Sequence, residues 1–167
     1  MNRTPILNLL ASTNEPERLA AAEYAASHPQ LCQAWAVELV LAAGDSSDSV
    51  AIAATEALEM LGPPNLHQLP RLADVIRTSE DGESVYWAVT LIGRLGPMAG
   101  PATAALVEAL SRSPYLPVQE RAAWALSRIG TAAADAAAAL RWAAESGPPR
   151  LRRLATQALE SVRGMAA

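Results

Sequence analysis

Apolar side chains recur along most of this chain at the three- and four-residue spacing of an amphipathic helix. The clearest segments run from Val50 to Gly62, from Ser84 to Gly96 and from Val118 to Gly130. In each, apolar or small residues stand 1, 4, 5, 8 and 12 positions before the closing glycine, so they share one helical face. We therefore predict three helices with one buried face, each followed by a glycine that adopts the left-handed conformation at low cost.

These segments are copies of one repeat. Gly62, Gly96 and Gly130 lie 34 residues apart, and a fourth copy with a spacing of 33 continues the pattern with Leu151, Ala155, Leu159 and Val162. A second periodic run precedes each later copy: Leu66, Leu69, Leu72, Ala73 and Ile76; Ala102, Leu106, Ala109 and Leu110; Ala136, Leu140, Ala143 and Ala144. Prolines at 63, 64, 97 and 101 stand near the starts of these runs, where a missing N–H costs little.

The same pattern extends more weakly towards the N-terminus. Residues 31–43 and 48–61 form another predicted pair of helices, and residues 5–12 and 15–27 a degenerate first pair. Short loops at 78–83 and 146–149 join helices within a pair. A hairpin of this size cannot bury its apolar face alone, so neighbouring hairpins are expected to stack. We predict an all-α fold, a right-handed α-solenoid (α-α superhelix) of about five helical hairpins, in a single domain over 1–167 with clear repeats at 48–163 and degenerate ones at 1–47.

Two stretches carry a family resemblance. IGRLGPMAGPATAALVEAL at 92–110 and VQERAAWALSRIG at 118–130 resemble bacterial HEAT and HEAT-like repeats, including those of the phycobilisome-lyase type. Pro70 stands where such repeats often have a kinking proline, whereas the family's interhelix aspartate is approximated only by Asp48 and Asp81. The arginine that follows the valine of the second helix in this family has a counterpart only at Arg152. The 34-residue period also fits tetratricopeptide repeats, but their signature is not in register.

Composition supports close helix packing in a reducing compartment. Apolar residues make up 51% of the chain, aromatic ones only 4%, and 37 residues are alanine, which combines high helix propensity with a small side chain. The single cysteine, Cys32, excludes an internal disulfide. No stretch approaches the ~20 apolar residues of a membrane span, so we expect no membrane and a cytoplasmic protein.

Charge is distributed unevenly. Residues 1–111 carry 13 acids against 5 arginines, whereas residues 112–167 carry 8 arginines against 4 acids. Such a field can steer partners or favour head-to-tail contact. Glu56, Glu59, Glu80, Asp81 and Glu83 are interpreted as a solvated acidic face.

No catalytic, cofactor or metal motif stands out. The chain has no phosphate-binding loop ending in lysine, no Gly-x-Ser-x-Gly, no His-Glu metal helix and no Cys-x-x-Cys. His28 and Cys32 have ligand-like spacing, but Pro29 interrupts the helix between them and no third ligand is evident. We therefore predict a protein that is not an enzyme and that holds no cofactor and no metal.

The outward side of the second helices is the candidate binding surface. In stacks of this type the second helices line the concave surface, and positions 10, 6 and 2 before the glycine point away from the core. The candidate partner-binding residues are Tyr86, Thr90, Arg94, Glu120, Trp124, Arg128, Arg153 and Gln157. A large aromatic at Trp124 flanked by arginines suggests a recognition patch, although Trp124 and Tyr86 could instead be peripheral core. Trp35 and Trp87 are predicted core residues, and Trp142 stands at a usually exposed position.

Three functions remain open at this stage. The first is a non-catalytic protein-binding scaffold or adaptor that binds a protein of unknown identity on the concave surface. The second is a HEAT-like nucleic-acid binder that uses Arg128, Arg150, Arg152 and Arg153, which we do not expect because the overall charge is acidic and the basic residues are confined to one end. The third, a lyase or lyase accessory, is implied only by the resemblance.

Overall fold

The computed structural model describes residues 4–164, which form ten α-helices and no strand. In chain order, α1 to α10 are Thr4–Leu9, Glu15–Ser27, Ala36–Ala42, Asp48–Met60, Leu69–Thr78, Gly82–Arg94, Thr103–Arg112, Leu116–Ile129, Ala137–Ser146 and Pro149–Val162. Short 3-10 segments precede four of the first helices, at Pro29–Leu31 and Gln33–Trp35, Leu66–Gln68, Gly96–Ala102 and Gly130–Ala136. The predicted all-α architecture is confirmed.

Consecutive helices pair into five hairpins, each with a first and a second helix. The two helices of every hairpin contact one another, from α1 with α2 to α9 with α10. The second helices α6, α8 and α10 pack side by side, and so do the first helices α5, α7 and α9. The chain is therefore a stack of hairpins in sequence order, as a solenoid requires.

The stack changes its packing between the second and third hairpins. The second helix α2 packs against α4, but of the two helices in the second hairpin α6 packs on α3 more than on α4. Side chains join the two parts, since Gln68 donates to the backbone carbonyl of Ala34 at 2.5 Å and Arg71 pairs with Glu38 at 2.9 Å. The contact of α6 with α4 is made through the Arg94 side chain, which reaches the carbonyls of Leu58 and Leu61.

Periodicity predicted the core correctly in most repeats. The positions 1, 4, 5, 8 and 12 before the glycine are buried in α4 with Leu61 and in α8, and the first helices bury Leu72, Leu106 and Leu140 fully. Leu95 and Leu159 are only half-buried. Leu66 is exposed, and its assignment to the core is wrong because it starts a 3-10 turn ahead of α5.

The predicted left-handed glycines are confirmed at two repeats and wrong at a third. Gly96 and Gly130 have φ of 60° and 66°, and each lets the chain leave a second helix and enter a 3-10 segment. Gly62 is not left-handed. There α4 ends at Leu61, which has an extended backbone conformation. Pro63 disfavours the helical conformation at Gly62, so the helix ends here without a left-handed glycine.

An aspartate caps the N-terminus of the second helix α6. The Asp81 carboxylate accepts a hydrogen bond from the backbone N–H of Ser84 at 2.6 Å, which caps α6. At α4 the N-cap residue is Ser47, whose side chain makes no capping hydrogen bond, and the Asp45 carboxylate accepts from the backbone N–H of Ser47 at 2.9 Å in the loop before the helix. The predicted interhelix aspartate is therefore confirmed at Asp81, whereas Asp48 lies inside the first turn of α4.

The tryptophans are placed as predicted. Trp35 and Trp87 are buried, whereas Trp142 on α9 is 55% exposed. Among the described residues, no helix is long and apolar enough to cross a membrane.

Candidate partner-binding site

Tyr86, Arg121 and Trp124 form a stacked cluster on the outer side of α6 and α8. The guanidinium carbon of Arg121 lies 4.7 Å from the centre of the Tyr86 ring and 5.0 Å from that of Trp124. An Nη2–H of Arg121 also donates to the Tyr86 hydroxyl oxygen. Both rings are half-buried, so each combines a packed side with a side that faces solvent. The cluster is a preorganised platform of two aromatic rings around one cation.

Trp124 is positioned by a glycine on the neighbouring helix. A Cβ added at Gly93 would lie 2.5 Å from Cζ3 of Trp124 and 3.0 Å from Cα of Ala125. Only glycine therefore lets the indole and the α8 backbone approach α6 this closely. The alternative predictions for Trp124, exposed ring or peripheral core, both describe part of what is observed.

An ion pair from α10 borders the cluster. Arg150 Nε lies 3.2 Å from Glu120 Oε2, and the Glu120 side chain is mostly buried while that of Arg150 is 71% exposed. A cavity of about 230 Å³ lies between the helices, lined by Tyr86, Pro117, Glu120, Arg121, Trp124, Arg150 and Leu154. Two guanidinium groups, two aromatic rings and an aliphatic side chain thus surround one solvent-accessible depression.

A second depression continues from the first. It has a volume of about 470 Å³, shares Tyr86 and Pro117 with the first, and is otherwise lined by Asp81, Gly82, Glu83, Tyr115 and Val118. The Tyr115 ring packs on Gly82 and its hydroxyl donates to the backbone carbonyl of Glu80 at 3.3 Å. Together the two depressions form a groove that is acidic at the Asp81 end and arginine-rich at the Arg150 end.

Arg94 has a structural contact that the sequence did not predict. Its Nη1 donates to the backbone carbonyl of Leu58 at 2.7 Å and also to that of Leu61, so it caps the C-terminus of α4. Burial lowers the pKa of the Arg94 guanidinium below its ordinary value, and the positive charge of Arg121 lowers it further. Arg94 is half-buried, and its guanidinium turns towards the carbonyls of α4 rather than away from the core, so its expected outward orientation is met only in part. Whether Arg94 contacts a partner stays a prediction.

Two other predicted outward residues are buried. Thr90 is 4% exposed because α6 is packed on both sides, and its hydroxyl donates to the backbone carbonyl of Tyr86 at 2.8 Å. Glu120 is 9% exposed and faces α10. Their predicted outward orientation is wrong, although Glu120 still lines the cavity through its side chain.

The remaining candidates are solvent-facing. Arg128, Arg153 and Gln157 are exposed, and neither arginine forms an ion pair with another described residue. Arg152 is also exposed. Whether any of these residues contacts a partner stays a prediction.

Arg121 and the exposed apolar residues of α4 were not predicted from the sequence. Arg121 stands three residues before Trp124 on one helix and 35 residues after Tyr86, one more than the repeat, and both spacings were visible in the sequence. On α4 the positions equivalent to Tyr86 and Arg94 are Ile52 and Met60, which are 60% and 69% exposed. Applying the outward rule to that repeat would have found them.

The other chemistry-bearing residues are not assembled into a site. Cys32 is buried, whereas His28 is exposed and stacks on Tyr24 with 4.3 Å between ring centres. The five acidic residues predicted to be solvated are exposed: Glu56, Glu59, Glu80, Asp81 and Glu83. Among the described residues, no group of three or more potential ligands is placed to hold a metal ion.

Two solved structures share this fold. An engineered protein from a structural genomics consortium superimposes with a TM-score of 0.64 at 21% identity, over 96% of this chain and 79% of that one. A designed armadillo repeat protein in complex with the peptide (KR)4 superimposes with a TM-score of 0.61 at 20% identity, over 95% of this chain and 81% of that one. No curated protein sequence matches the chain significantly.

The sequence itself matches a family profile described as HEAT repeats over residues 69–160, which covers more than half of the chain. That region contains the last three hairpins and the whole Tyr86–Trp124 cluster. The chain therefore belongs to the HEAT-repeat family.

Proposed function

We propose that this protein is a non-catalytic scaffold or adaptor that binds a protein partner on the outer face of the second helices α6, α8 and α10. The observation that carries the proposal is the half-exposed cluster of Tyr86, Arg121 and Trp124 at the border of a cavity. Tryptophan, tyrosine and arginine are the residues that most often dominate the energy of protein interfaces. Arg128, Arg153 and Gln157 would extend the contact along the same helices.

The neighbours in structure support this kind of function. HEAT and armadillo repeats expose a long row of equivalent helices, a surface suited to extended ligands. The designed armadillo protein is in complex with a peptide. The peptide in that complex is basic, whereas the second helices in the C-terminal half of this chain carry arginines. We therefore propose a peptide ligand for this chain, but not a basic one.

Two tryptophans allow a matched test. Trp124 lies in the proposed site, and Trp142 on α9 lies outside it with most of its ring exposed. Affinity capture from cells should recover partner proteins with the wild type and with Trp142→Ala, but lose them with Trp124→Ala at a temperature where all three are folded. Equal capture by the two variants, or loss only with Trp142→Ala, would contradict the proposal.

The alternatives have narrower support. A nucleic-acid binder is favoured by one observation, the exposed Arg128, Arg152 and Arg153, which could contact phosphates. Its binding should weaken steeply with salt even when Trp124 is replaced. A lyase or lyase-accessory function draws on the sequence resemblance to phycobilisome-lyase-type repeats alone. A bacterial origin and a cytoplasmic location likewise belong to the proposal and draw on that resemblance and on the single cysteine.

A further inference from the structure

The arginines of the cavity retain most of their hydrogen-bonding capacity. A guanidinium has five N–H donors. Arg121 uses one on the hydroxyl oxygen of Tyr86, and Arg150 places Nε against Glu120. Among the described residues, no other hydrogen bond or ion pair is formed by either side chain. Both arginines line the same cavity, and guanidinium donors without protein acceptors are suited to an anionic ligand.

The positive charge in this part of the surface is only partly neutralised by carboxylates of the protein. Glu120 pairs with Arg150, but Arg121 is stacked between rings and has no carboxylate partner among the described residues. Burial lowers the pKa of the Arg94 guanidinium, and the positive charge of Arg121 lowers it further. Arg128 and Arg153 add two exposed cations on the same two helices, α8 and α10.

The basic surface is short, and acidic residues lie beyond it. At the repeat position of Trp124, α4 carries the exposed Glu56, and the opposite end of the groove carries Asp81 and Glu83. Neighbouring helices are spaced by roughly 10 Å, so α6 to α10 spans about 20 Å, the length of roughly six extended residues. A nucleic acid has a phosphate at every nucleotide and would meet these acids, whereas a polypeptide can carry negative charge over a few residues only.

Resting on the proposed scaffold function, we propose that the cavity between α6, α8 and α10 binds an acidic segment of about six residues in a partner polypeptide. An aspartate or glutamate carboxylate accepts hydrogen bonds from Arg121 and Arg150, and its neighbouring apolar side chain packs on Trp124 and Leu154. The stacked Arg121 is already ordered, which reduces the entropy lost on binding.

A random peptide library displayed on phage, selected against the immobilised full-length protein, tests this inference. Enriched peptides should contain clusters of Asp and Glu next to an apolar residue. A labelled synthetic copy of the most enriched peptide should bind about tenfold more weakly to Arg150→Gln, and also to Arg121→Lys, which keeps the charge but loses the planar fork. Arg141→Gln is the matched control for Arg150→Gln, since Arg141 is also exposed but lies on α9 and does not line the cavity.

The possible results distinguish failure of the acidic-ligand inference from failure of the proposed scaffold function. Enriched peptides that require Trp124 but show no excess of acids would overturn the acidic ligand and leave the scaffold intact. Failure to enrich any peptide would overturn both. Displacement of the selected peptide by a twelve-nucleotide oligothymidine at lower concentration than by unlabelled peptide would assign the arginines to nucleic acid instead. Equal weakening by Arg141→Gln would show that only overall charge matters, which also contradicts the inference.

Discussion

The indole of Trp124 on α8 occupies the space that the missing side chain of Gly93 leaves on α6. A Cβ at Gly93 would come within 2.5 Å of the ring and 3.0 Å of the Ala125 backbone. This contact couples the candidate binding site to the packing of two repeats. A single methyl group at Gly93 therefore tests the close approach of the two helices.

We expect Gly93→Ala to destabilise the protein by about 1–3 kcal/mol through overpacking. Replacing a helical glycine by alanine normally stabilises a helix, by up to about 1 kcal/mol in its interior, so the sign itself is informative for Gly93 in the last turn of α6. Thermal or urea unfolding measures the effect. Gly62→Ala is the control because its added Cβ would meet only Gln33 Nε2 at 3.5 Å. A stabilised Gly93→Ala would mean that α6 and α8 are further apart than described.

Arg94 should matter for stability, unlike its repeat equivalent Arg128. Replacing Arg94 by glutamine removes hydrogen bonds to the carbonyls of Leu58 and Leu61 at the end of α4. We expect a loss of about 1.5–3 kcal/mol in the free energy of unfolding, the scale for hydrogen bonds to charged groups. The exposed Arg128→Gln should change it by less than about 0.5 kcal/mol. Equal effects would contradict a stabilising role for the contact of Arg94 with α4.

The Arg18–Asp45 pair predicts a pH dependence of stability. Arg18 contacts both carboxylate oxygens of Asp45, at 2.7 and 3.0 Å, and these hydrogen bonds hold the pKa of Asp45 below its usual range. A lowered carboxyl pKa stabilises the folded state above the unfolded value of about 4, and this stability is lost as the pH falls through the folded pKa. The melting temperature of the wild type should exceed that of Asp45→Asn by a constant margin between pH 6 and 8, and the margin should shrink below about pH 4. A margin that does not change with pH would contradict the pairing.

Leu126 tests the core of the repeat. It is fully buried four positions before Gly130, and its replacement by alanine should cost roughly 2–5 kcal/mol in the free energy of unfolding. Leu116 begins the same helix and is 39% exposed, so Leu116→Ala should cost clearly less. Chemical denaturation compares the two, and similar losses would show that α8 is rotated relative to the core.

Features that depend on the local pattern of apolar residues could be predicted from the sequence. Features that depend on contacts between distant residues could not. The faces of α4 and α8 follow from helical period alone, and Leu58 and Leu126 are buried as expected. Arg94 could not be assigned, because its contacts depend on where α4 ends in space. The rule for outward positions assumes identical neighbours in every repeat, but α6 is packed against α3, α5 and α8. Thr90 is buried for that reason.

The four tryptophans provide the most direct measurement of where a partner binds. Trp35 and Trp87 are buried in the core, Trp124 borders the cavity, and Trp142 is exposed on α9. In protein labelled with 15N at tryptophan, the four indole signals can be assigned with single Trp→Phe variants and followed while the selected peptide is added. The scaffold account predicts that the Trp124 signal shifts most and saturates with the binding curve while the Trp142 signal stays in place. A shift at Trp142 with none at Trp124 would contradict it.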